Sequence, residues 1–476
     1  MIELGEVQGN VLHAYGTDFS AARYAHIRVA DGAADRARAV LAGWARQVTF
    51  GRRPDSFPRD YAQRPHVNLA FTYTGLEALG VRKDVLHAFP ADFREGASRR
   101  SPEVDGDADA VGQWDNGVGD GHVMLIVHAR DEPACRERVD ALLAEARAAG
   151  DPLRESAAQQ PTALLDRGDG DDFSCGTRYS REHFGFADGC SQPAVDGVDD
   201  DPTGDGLNAR VHPERTLLQF AEDLGLRRER RQWRPIRAGE FLLGYRNEDG
   251  RFPDGPPAPL GPNGTFMVYR KLEQHVDVFE AHIDAEAGRL GMEPIELRAR
   301  VLGRWPDGTP LALSPAGEDP RLSTNRRRAN LFDYEDDRAG LRCPLGAHVR
   351  RTNPRNGLPG GAEATMRHRI IRRGMPYVEG DRRGLLFIAY NSSIKDGFET
   401  IQRLWCLDGA ALGLGSEPDY LLQQERDGRP LSGMVVDHAG ASPRRISAPP
   451  RPFVTVRGCE YLFLPSRRAC AWLTGH

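Results

Sequence analysis

The sequence contains no long hydrophobic run, little cysteine and no excess of basic residues. No stretch of its 476 residues approaches the roughly 20 consecutive apolar positions of a membrane-spanning helix, so none is expected. The seven cysteines form an odd set without any Cys-x-x-Cys spacing, which predicts free thiols and not a disulfide framework or a zinc site. A net charge of −6 argues against nucleic acid as the main partner, because phosphate binding requires a basic surface.

The amino terminus also lacks targeting features. Residues 1–9 contain no basic segment followed by an apolar one, and no twin arginine. Because free thiols are typical of a reducing compartment, the two observations together predict a cytoplasmic location.

Glycine and proline, in contrast, are abundant. Their 52 and 33 residues favour a loop-rich fold over a helical bundle. The chain is longer than a domain with a single hydrophobic core usually is, so two domains are expected. In the first half, hydrophobic periodicity predicts strands at 22–30, 66–72 and 122–128, and helices at 32–46, 74–80 (capped by Thr74) and 132–149. The stretch from about 150 to 215 is expected to be irregular.

The second half repeats this pattern. Strands are predicted at 239–245, 264–270, 384–390 and 457–465, and helices at 271–290 and 396–407. The predicted fold class is therefore α+β, with two ferredoxin-like domains of antiparallel strands and helices, arranged like a dimeric α+β barrel. The domains are expected at 1–235 and 236–476, and 226–237 is expected to be a linker.

A first motif, His183-Phe-Gly-Phe-Ala-Asp-Gly-Cys-Ser-Gln-Pro193, places the carboxylate of Asp188 between two glycines. Glycine at 185 and 189 allows unusual dihedral angles and a close approach of the backbone to a flat cofactor. An ordinary Asp-Gly turn is the competing interpretation, and a bare Gly-x-x-Asp-Gly would be weak evidence. The whole extended run favours a functional carboxylate.

A second motif, Cys343-Pro-Leu-Gly-Ala-His-Val-Arg-Arg-Thr-Asn-Pro-Arg355, contains a histidine in an Arg-rich stretch. Arginines follow at 369, 372 and 373, just before Gly374-Met-Pro-Tyr377. An isolated histidine is more often structural than a ligand, and an isolated arginine more often forms a surface ion pair. The histidine and the arginines indicate a catalytic site only in combination with the carboxylate of the first motif.

A histidine, a carboxylate and an arginine are what a haem peroxidase requires. The iron needs one axial imidazole, whose basicity is raised by a carboxylate on its far nitrogen. The opposite face needs an acid/base group to move a proton between the peroxide oxygens, and a cation to stabilise developing negative charge.

Both segments, and their order, resemble the dye-decolorizing peroxidase family, in particular its longer (class C or D) members. The segments Val7–Leu12, Leu69–Gly80, Pro452–Gly458 and Tyr461–Pro465 are also similar to that family. The resemblance implies haem b (iron protoporphyrin IX) as cofactor. It implies the following roles: His348 as proximal iron ligand, Asp188 as distal acid/base, Arg372 as distal cation, and Arg355, Leu385 and Phe387 as cofactor-binding residues.

Several assignments within this resemblance remain open. Arg369 and Arg373 compete with Arg372 for the role of distal cation. Leu385 and Phe387 alternate on one strand, and simple core packing explains them nearly as well. In Ser416-Glu-Pro-Asp419, either acid could pair with His348, because the family usually has an acid before proline in this region.

The resemblance implies a haem-dependent peroxidase that reduces hydrogen peroxide and oxidises dyes, phenolics or other one-electron donors. Haem would be held mainly by 236–476, and the Asp188 loop would close over it from 1–235. A surface Tyr or Trp could relay electrons, and Tyr377, Tyr390, Trp405 and Tyr461 lie near pocket segments, although each is more easily explained as a core aromatic.

Two alternatives are a haem-binding or haem-handling protein without peroxidase turnover and a specialised biosynthetic haem oxidase. No nucleic-acid or membrane partner is expected, and a homo-oligomer is left open. Asp105-x-Asp107-x-Asp109 begins like a calcium loop but fails the EF-hand pattern at Ala110 and Asn116, and the acidic runs 166–172 and 199–205 are expected to be solvated loops. Mn(II) is kept as a candidate reductant, because the carboxylate oxygens of such acidic side chains are hard ligands that suit it.

Overall fold

The computed structural model describes residues 2–15, 19–51, 64–106, 109–165, 180–198, 234–325, 328–425, 430–437 and 442–475. Most of the expected linker (226–233) and the whole of both acidic runs, 166–172 and 199–205, lie outside these ranges. The domain boundary after 235 therefore stays a prediction.

Thirteen strands are found in the described part of the chain. They are β1 (Ala21–Val29), β2 (His66–Phe71), β3 (Val123–Ala129), β4 (Leu153–Gln159), β5 (Leu164–Leu165), β6 (Ser180–Arg181), β7 (Thr265–Gln274), β8 (Ile371–Arg372), β9 (Met375–Glu379), β10 (Arg382–Asn391), β11 (Met434–Asp437), β12 (Arg444–Ile446) and β13 (Val454–Leu464).

The helices of the same ranges are mostly short. The α-helices are α1 (Gly9–Leu12), α2 (Ala34–Ala45), α3 (Tyr73–Ala78), α4 (Lys83–His87), α5 (Ala91–Glu95), α6 (Ala97–Asp105), α7 (Glu132–Ala148), α8 (Val276–Leu290), α9 (Pro294–Leu302), α10 (Pro320–Ser323), α11 (His348–Thr352), α12 (Ala362–Met366) and α13 (Arg467–Thr474), and Lys395–Cys406 is a π-helix. Short 3-10 turns lie at Leu4–Glu6, Ala110–Gln113, Ala238–Glu240, Arg328–Asn330, Glu335–Asp337 and Ala410–Leu412. None of these helices is long and apolar enough to cross a membrane.

Both halves of the chain contribute to one antiparallel sheet. Its strand order is β4-β1-β3-β2-β13-β7-β10-β8, and β9 also pairs with β10. The halves meet where β13 pairs with β2 at Phe463 and Phe71. The predicted α+β class with ferredoxin-like element order is confirmed, and the two expected sheets are joined edge to edge.

The first half follows the order β1-α2-β2-β3-α7-β4 that defines a ferredoxin-like unit. Helix α7 begins where Asp131 accepts a hydrogen bond from the Ala134 amide (2.9 Å). Its apolar face packs against β1 and β3, so the sheet is covered on that side. The edge strand β4 corrects the expectation that the chain is irregular from about 150, because its polar sequence shows no hydrophobic alternation that would predict a strand.

Three local predictions are wrong. Residues 239–245 form a turn instead of a strand, since the Gly239 amide donates to the Arg246 carbonyl (3.2 Å), and the apolar side chains from 241 to 243 are buried. The helix predicted from 271 begins at Val276, because β7 continues to Gln274. The cap of α3 is Thr72, whose hydroxyl accepts from the Gly75 amide (3.0 Å), and not Thr74.

Candidate active site

The segment that carries Asp188 is a tight loop that follows β6. Gly185 and Gly189 adopt φ angles of +92° and +73°, in the left-handed region that L side chains rarely occupy. The Ala187 amide donates to the Pro306 carbonyl (2.9 Å), and the Gly189 amide donates to Oδ1 of Asp188 (2.6 Å). The loop is therefore shaped by its glycines and holds a half-buried carboxylate.

Gln192 clamps this loop to the strand that carries Arg372. Its Oε1 accepts from the Arg372 amide (3.0 Å), and its Nε2 donates to the Arg372 carbonyl (3.0 Å). The guanidinium of Arg372 donates to the Ser191 carbonyl (2.9 Å). Two segments separated by about 180 positions thus place the predicted carboxylate and cation in one structural unit.

The two competing arginines have different surroundings. Arg373 donates to the carbonyls of Asn10 (3.2 Å) and Val11 (3.0 Å), so its guanidinium is directed to the amino-terminal segment. Burial, with the nearby charge of Arg372, lowers the pKa of Arg369 to about 10. Of the three arginines, Arg372 is the one whose guanidinium binds the Asp188 loop.

His348 is paired with a buried carboxylate. Its Nδ1 lies 2.9 Å from Oδ2 of Asp419, whose side chain is fully buried. Burial opposes ionisation of Asp419, but His348 and then Arg351 outweigh it and hold the pKa of this carboxyl below its usual value. Glu417 instead bonds Arg445 (3.1 Å), so the choice left open between the two acids is settled geometrically for Asp419.

Local structure explains how this pair is positioned. His348 is the first residue of α11, and Arg351 in the same helix donates to the carbonyls of Trp405 (2.8 Å) and Glu417 (2.6 Å). The Asp419 amide donates to the Cys406 carbonyl (2.5 Å) at the end of the π-helix. The histidine helix and the aspartate loop are thus fastened to the same element.

Arg355 links the two motifs through one intermediate residue. Its Nη1 donates to the carbonyls of Asn330 (3.0 Å) and Phe332 (2.8 Å), and the Asn330 amide group donates to the Cys190 carbonyl (2.6 Å). The Arg355 guanidinium also lies over the Phe332 ring (3.8 Å), and burial lowers its pKa to about 9. The side chain thus supports the pocket wall through backbone contacts.

A cavity lies between the end of the Asp188 loop and the segment that follows His348. Its wall includes Gln192, Asn353, Arg355 and Arg369, and none of the described lining residues is acidic. The Asn353 Oδ1 is buried without a hydrogen-bond partner in the described part of the chain. This cavity wall, with its cationic side chains, is complementary to an anionic group.

Leu385 and Phe387 lie on β10, inside the sheet between β7 and β8. They are half-buried, whereas the alternate residues Leu386 and Ile388 are completely buried. Phe387 also packs against two clusters of buried hydrophobic residues, so it is part of the hydrophobic core as well. A sheet interior that leaves apolar surface exposed on one face can receive a flat apolar ligand.

These observations fit haem. No hydrogen bond to Nε2 of His348 is found among the described residues, and a bonded Nδ1 leaves that nitrogen for a metal. The half-buried Leu385 and Phe387 match an apolar macrocycle, and the arginine-lined cavity matches its carboxylate substituents. The donor set therefore has the chemistry that an iron porphyrin requires.

Other candidate features receive less support. The aromatics Tyr377, Tyr390, Trp405 and Tyr461 are at most 4% exposed, as expected for core residues, so none of them is a surface relay. No group of three acidic, histidine or cysteine side chains suited to a metal ion occurs within the described ranges. Asp107 of the calcium-like run lies outside them.

Sequence reasoning missed the polar residues that hold the site together. Asn330 and Gln274 carry no motif, and their roles depend on contacts with chain segments about 90 or more positions away. Glu182 stands directly before the first motif, and this position was its only sequence signal.

The fold and the site together define a class: an α+β protein with a histidine–aspartate pair and a loop that joins a carboxylate to an arginine. Residues 254–411 match the family model described as Dyp-type peroxidase, C-terminal. The chain is 31% identical to a dye-decolorizing peroxidase of Mycena epipterygia, over 71% of this chain and 60% of that one. It is 30% identical to the dye-decolorizing peroxidase msp1 of Mycetinis scorodonius, over 62% of this chain and 57% of that one.

A solved structure extends the similarity over the whole chain. A dye-decolorizing peroxidase in complex with 2,6-dimethoxyphenol matches with a TM-score of 0.76 and 26% identity, over 100% of both chains. The chain belongs to the dye-decolorizing peroxidase family. The aligned segments span less than two thirds of the two curated relatives, 57% and 60% of their lengths.

Proposed function

We propose that this chain is a haem-dependent peroxidase that reduces hydrogen peroxide and oxidises organic one-electron donors such as dyes and phenolics. The observation that carries the proposal is the contact of His348 with the buried Asp419 carboxylate, which gives one imidazole an anionic partner and leaves its other nitrogen for iron. Family membership and the Gln192 clamp, which joins Arg372 to the Asp188 loop, support it.

On the proximal side, His348 would bind the iron of haem b through Nε2. Asp419 accepts the Nδ1 proton, and this hydrogen bond fixes the tautomer and the orientation of the ring. Arg355, Leu385 and Phe387 would contact the macrocycle and its substituents. Bound haem supplies the iron redox chemistry that cleaves peroxide and withdraws single electrons from a donor.

On the distal side, Asp188 is the acid/base group. Its Oδ1 already accepts from the Gly189 amide, so Oδ2 is the oxygen that takes a proton from the first peroxide oxygen and returns it to the departing one. Arg372, held by the Ser191 carbonyl, stabilises the negative charge that develops on the departing oxygen.

The finer assignments belong to the same proposal. Residues 1–235 contribute the Asp188 loop, and 236–476 contribute His348 and the haem wall. Use of Mn(II) as reductant and a cytoplasmic location remain predictions from the sequence. Haem handling without turnover is the alternative, and it would not require Arg372 to be held against the Asp188 loop.

The test is the absorption spectrum of haem-loaded protein before and after one equivalent of hydrogen peroxide. We expect the wild type to show a Soret band that shifts with peroxide, and His348→Ala to lose that band. His275→Ala is the matched control, because this half-buried histidine bonds a threonine hydroxyl (Thr455, 2.9 Å) and not a carboxylate. A Soret band that ignores peroxide would favour haem handling, and a protein that binds no haem would overturn both functions.

A further inference from the structure

Glu182 lies at the base of the Asp188 loop, and its carboxylate is fully engaged there. Oε1 accepts from the Phe186 amide (2.9 Å), and Oε2 accepts from the Phe184 amide (2.9 Å) and from Nε2 of Gln274 (2.5 Å). Gln274 is the last residue of β7, so the same carboxylate shapes the loop and ties it to the central sheet.

The backbone of the loop closes around this side chain. The Glu182 amide donates to the Phe186 carbonyl (3.1 Å), and the Gly185 amide donates to the Glu182 carbonyl (2.9 Å). Two further backbone amides, those of residues 184 and 186, point inward to the carboxylate. Because buried amides without partners cost about 1–3 kcal/mol each, the conformation of the loop depends on an acceptor at this place.

The aromatic rings of the loop pack against helix α8. Phe184 stacks on Phe279 of α8 with ring centroids 4.5 Å apart, and Phe186 lies 6.4 Å from the same ring. Both rings are nearly completely buried. The loop is therefore held both by the apolar packing of these rings and by the hydrogen bonds of the Glu182 carboxylate, and Asp188 follows two residues later.

The position of this carboxylate has an electrostatic cost. Burial raises the pKa of Glu182, although the Gln274 side chain and the two backbone amides counteract it, and the charge of Asp188 raises it further. An acid placed this close to a second acid is costly for the fold, and the three hydrogen-bond donors on the Glu182 carboxylate offset that cost.

We infer that Glu182 is a positioning residue for the peroxide reaction: it fixes the loop geometry that presents Asp188 to peroxide. The inference deepens the proposed function and rests on it. Glu182 does not touch the reacting atoms, and its influence passes through the backbone from Phe184 to Asp188.

Glu182→Gln is the informative substitution. The amide has nearly the same shape, but it offers one acceptor oxygen where the carboxylate has two. Its NH2 group faces the Phe186 amide in one orientation, and the Phe184 amide together with Gln274 in the other. We expect faster hydrogen–deuterium exchange at the amides of residues 184 and 186. We also expect a second-order rate constant with peroxide that is about 10- to 100-fold lower, because displacement of a catalytic group by about 1 Å costs this much.

A double-mutant comparison distinguishes an effect of Glu182 on the position of Asp188 from a general loss of structure. If Glu182 acts through Asp188, Glu182→Gln will not slow the peroxide reaction further in an Asp188→Asn background. Glu460→Gln is the matched control, since that buried carboxylate also accepts from two backbone amides, those of Gly119 (2.9 Å) and Gly121 (3.1 Å), in another part of the sheet. This control is expected to lower thermal stability and leave the peroxide rate per bound haem unchanged.

The outcomes are distinguishable. A wild-type rate in Glu182→Gln, or an equal additional loss in the Asp188→Asn background, would overturn the inference while the proposed function stands. A wild type that binds haem but ignores peroxide would overturn the proposed function, and the inference with it. If Glu182→Gln does not fold, Gln274→Leu removes only the bond from β7, and the inference then requires a smaller loss of rate that again disappears without Asp188.

Discussion

Oδ2 of Asp419 lies 2.9 Å from Nδ1 of His348, although 71 positions separate the two residues in the sequence. The carboxylate is fully buried and the imidazole is about one quarter exposed, so the pair has a dry side and an open side. A histidine in this arrangement has a defined tautomer and a more basic free nitrogen, which are the properties of a metal ligand.

The first prediction concerns this pair. Asp419→Asn keeps a side chain of the same size but removes the negative partner, so we expect haem affinity to fall by about 10- to 100-fold. The measurement is a haem titration of the apo-protein followed at the Soret band. Glu417→Gln is the control, because this acid bonds Arg445 instead, and its haem affinity is expected to stay at the wild-type value. A larger effect of Glu417→Gln than of Asp419→Asn would contradict the geometry.

The acidic partner of His348 is an example of what the sequence predicts and what it does not. The pattern around Ser416-Glu-Pro-Asp419 narrowed the partner of His348 to two residues. The choice between them depends on how this loop leaves the π-helix, where the Asp419 amide bonds the Cys406 carbonyl. No local pattern encodes that contact, because its two ends are brought together by tertiary packing.

The fold shows the same limit. The alternating sequence of β1 and the continuous apolar run of β10 each predict a strand to within two residues of its observed ends. Residues 239–245 share the apolar composition of a buried strand but form a turn whose apolar side chains from 241 to 243 are buried, so composition does not separate the two. The polar edge strand β4 left no periodic signal at all.

The second prediction separates Arg372 from its neighbour. Arg372→Leu removes the cation held at the Asp188 loop, and we expect the rate constant with peroxide to fall by about 100- to 1000-fold. Arg373→Leu removes a guanidinium that bonds the carbonyls of Asn10 and Val11, so it is expected to lower stability and spare the rate. Stopped-flow kinetics at matched haem occupancy make the comparison. Equal losses in the two variants would refute the assignment of Arg372.

The third prediction tests whether Leu385 belongs to the pocket wall or to the core. Leu385→Ala in the apo-protein is expected to cost less than the about 2–5 kcal/mol typical of a buried leucine, because its side chain is only partly buried. Leu386→Ala, from a completely buried side chain, is expected to cost that full amount. Denaturant unfolding gives the free energies, and haem titration should show the larger loss of affinity for Leu385→Ala. If Leu385→Ala lost more stability and less haem affinity than Leu386→Ala, Leu385 would be a core residue and not part of the pocket wall.

The fourth prediction concerns a second buried acid, Glu240. Burial raises the pKa of Glu240 from 4.5 to about 7, although the Glu248 amide counteracts it, and the nearby Glu248 charge adds to the increase. Since the folded state then binds more protons than the unfolded state between about pH 4.5 and pH 7, stability is lost as the pH rises through this window.

Glu240→Gln removes this titration and can keep the oxygen that accepts from the Glu248 amide (2.8 Å). We therefore expect the variant to be more stable than the wild type at pH 8, by at most about 3 kcal/mol, and to show no gain at pH 4. Glu248→Gln should behave in the opposite way. Burial opposes ionisation of Glu248, but Arg234 and the Arg237 amide outweigh it and hold the pKa of Glu248 below its usual value, so its loss destabilises at neutral pH and has less effect as the pH falls. Thermal unfolding at a series of pH values measures these differences in stability. A pH-independent difference between Glu240→Gln and the wild type would show that the charge of Glu240 does not cause the change in stability.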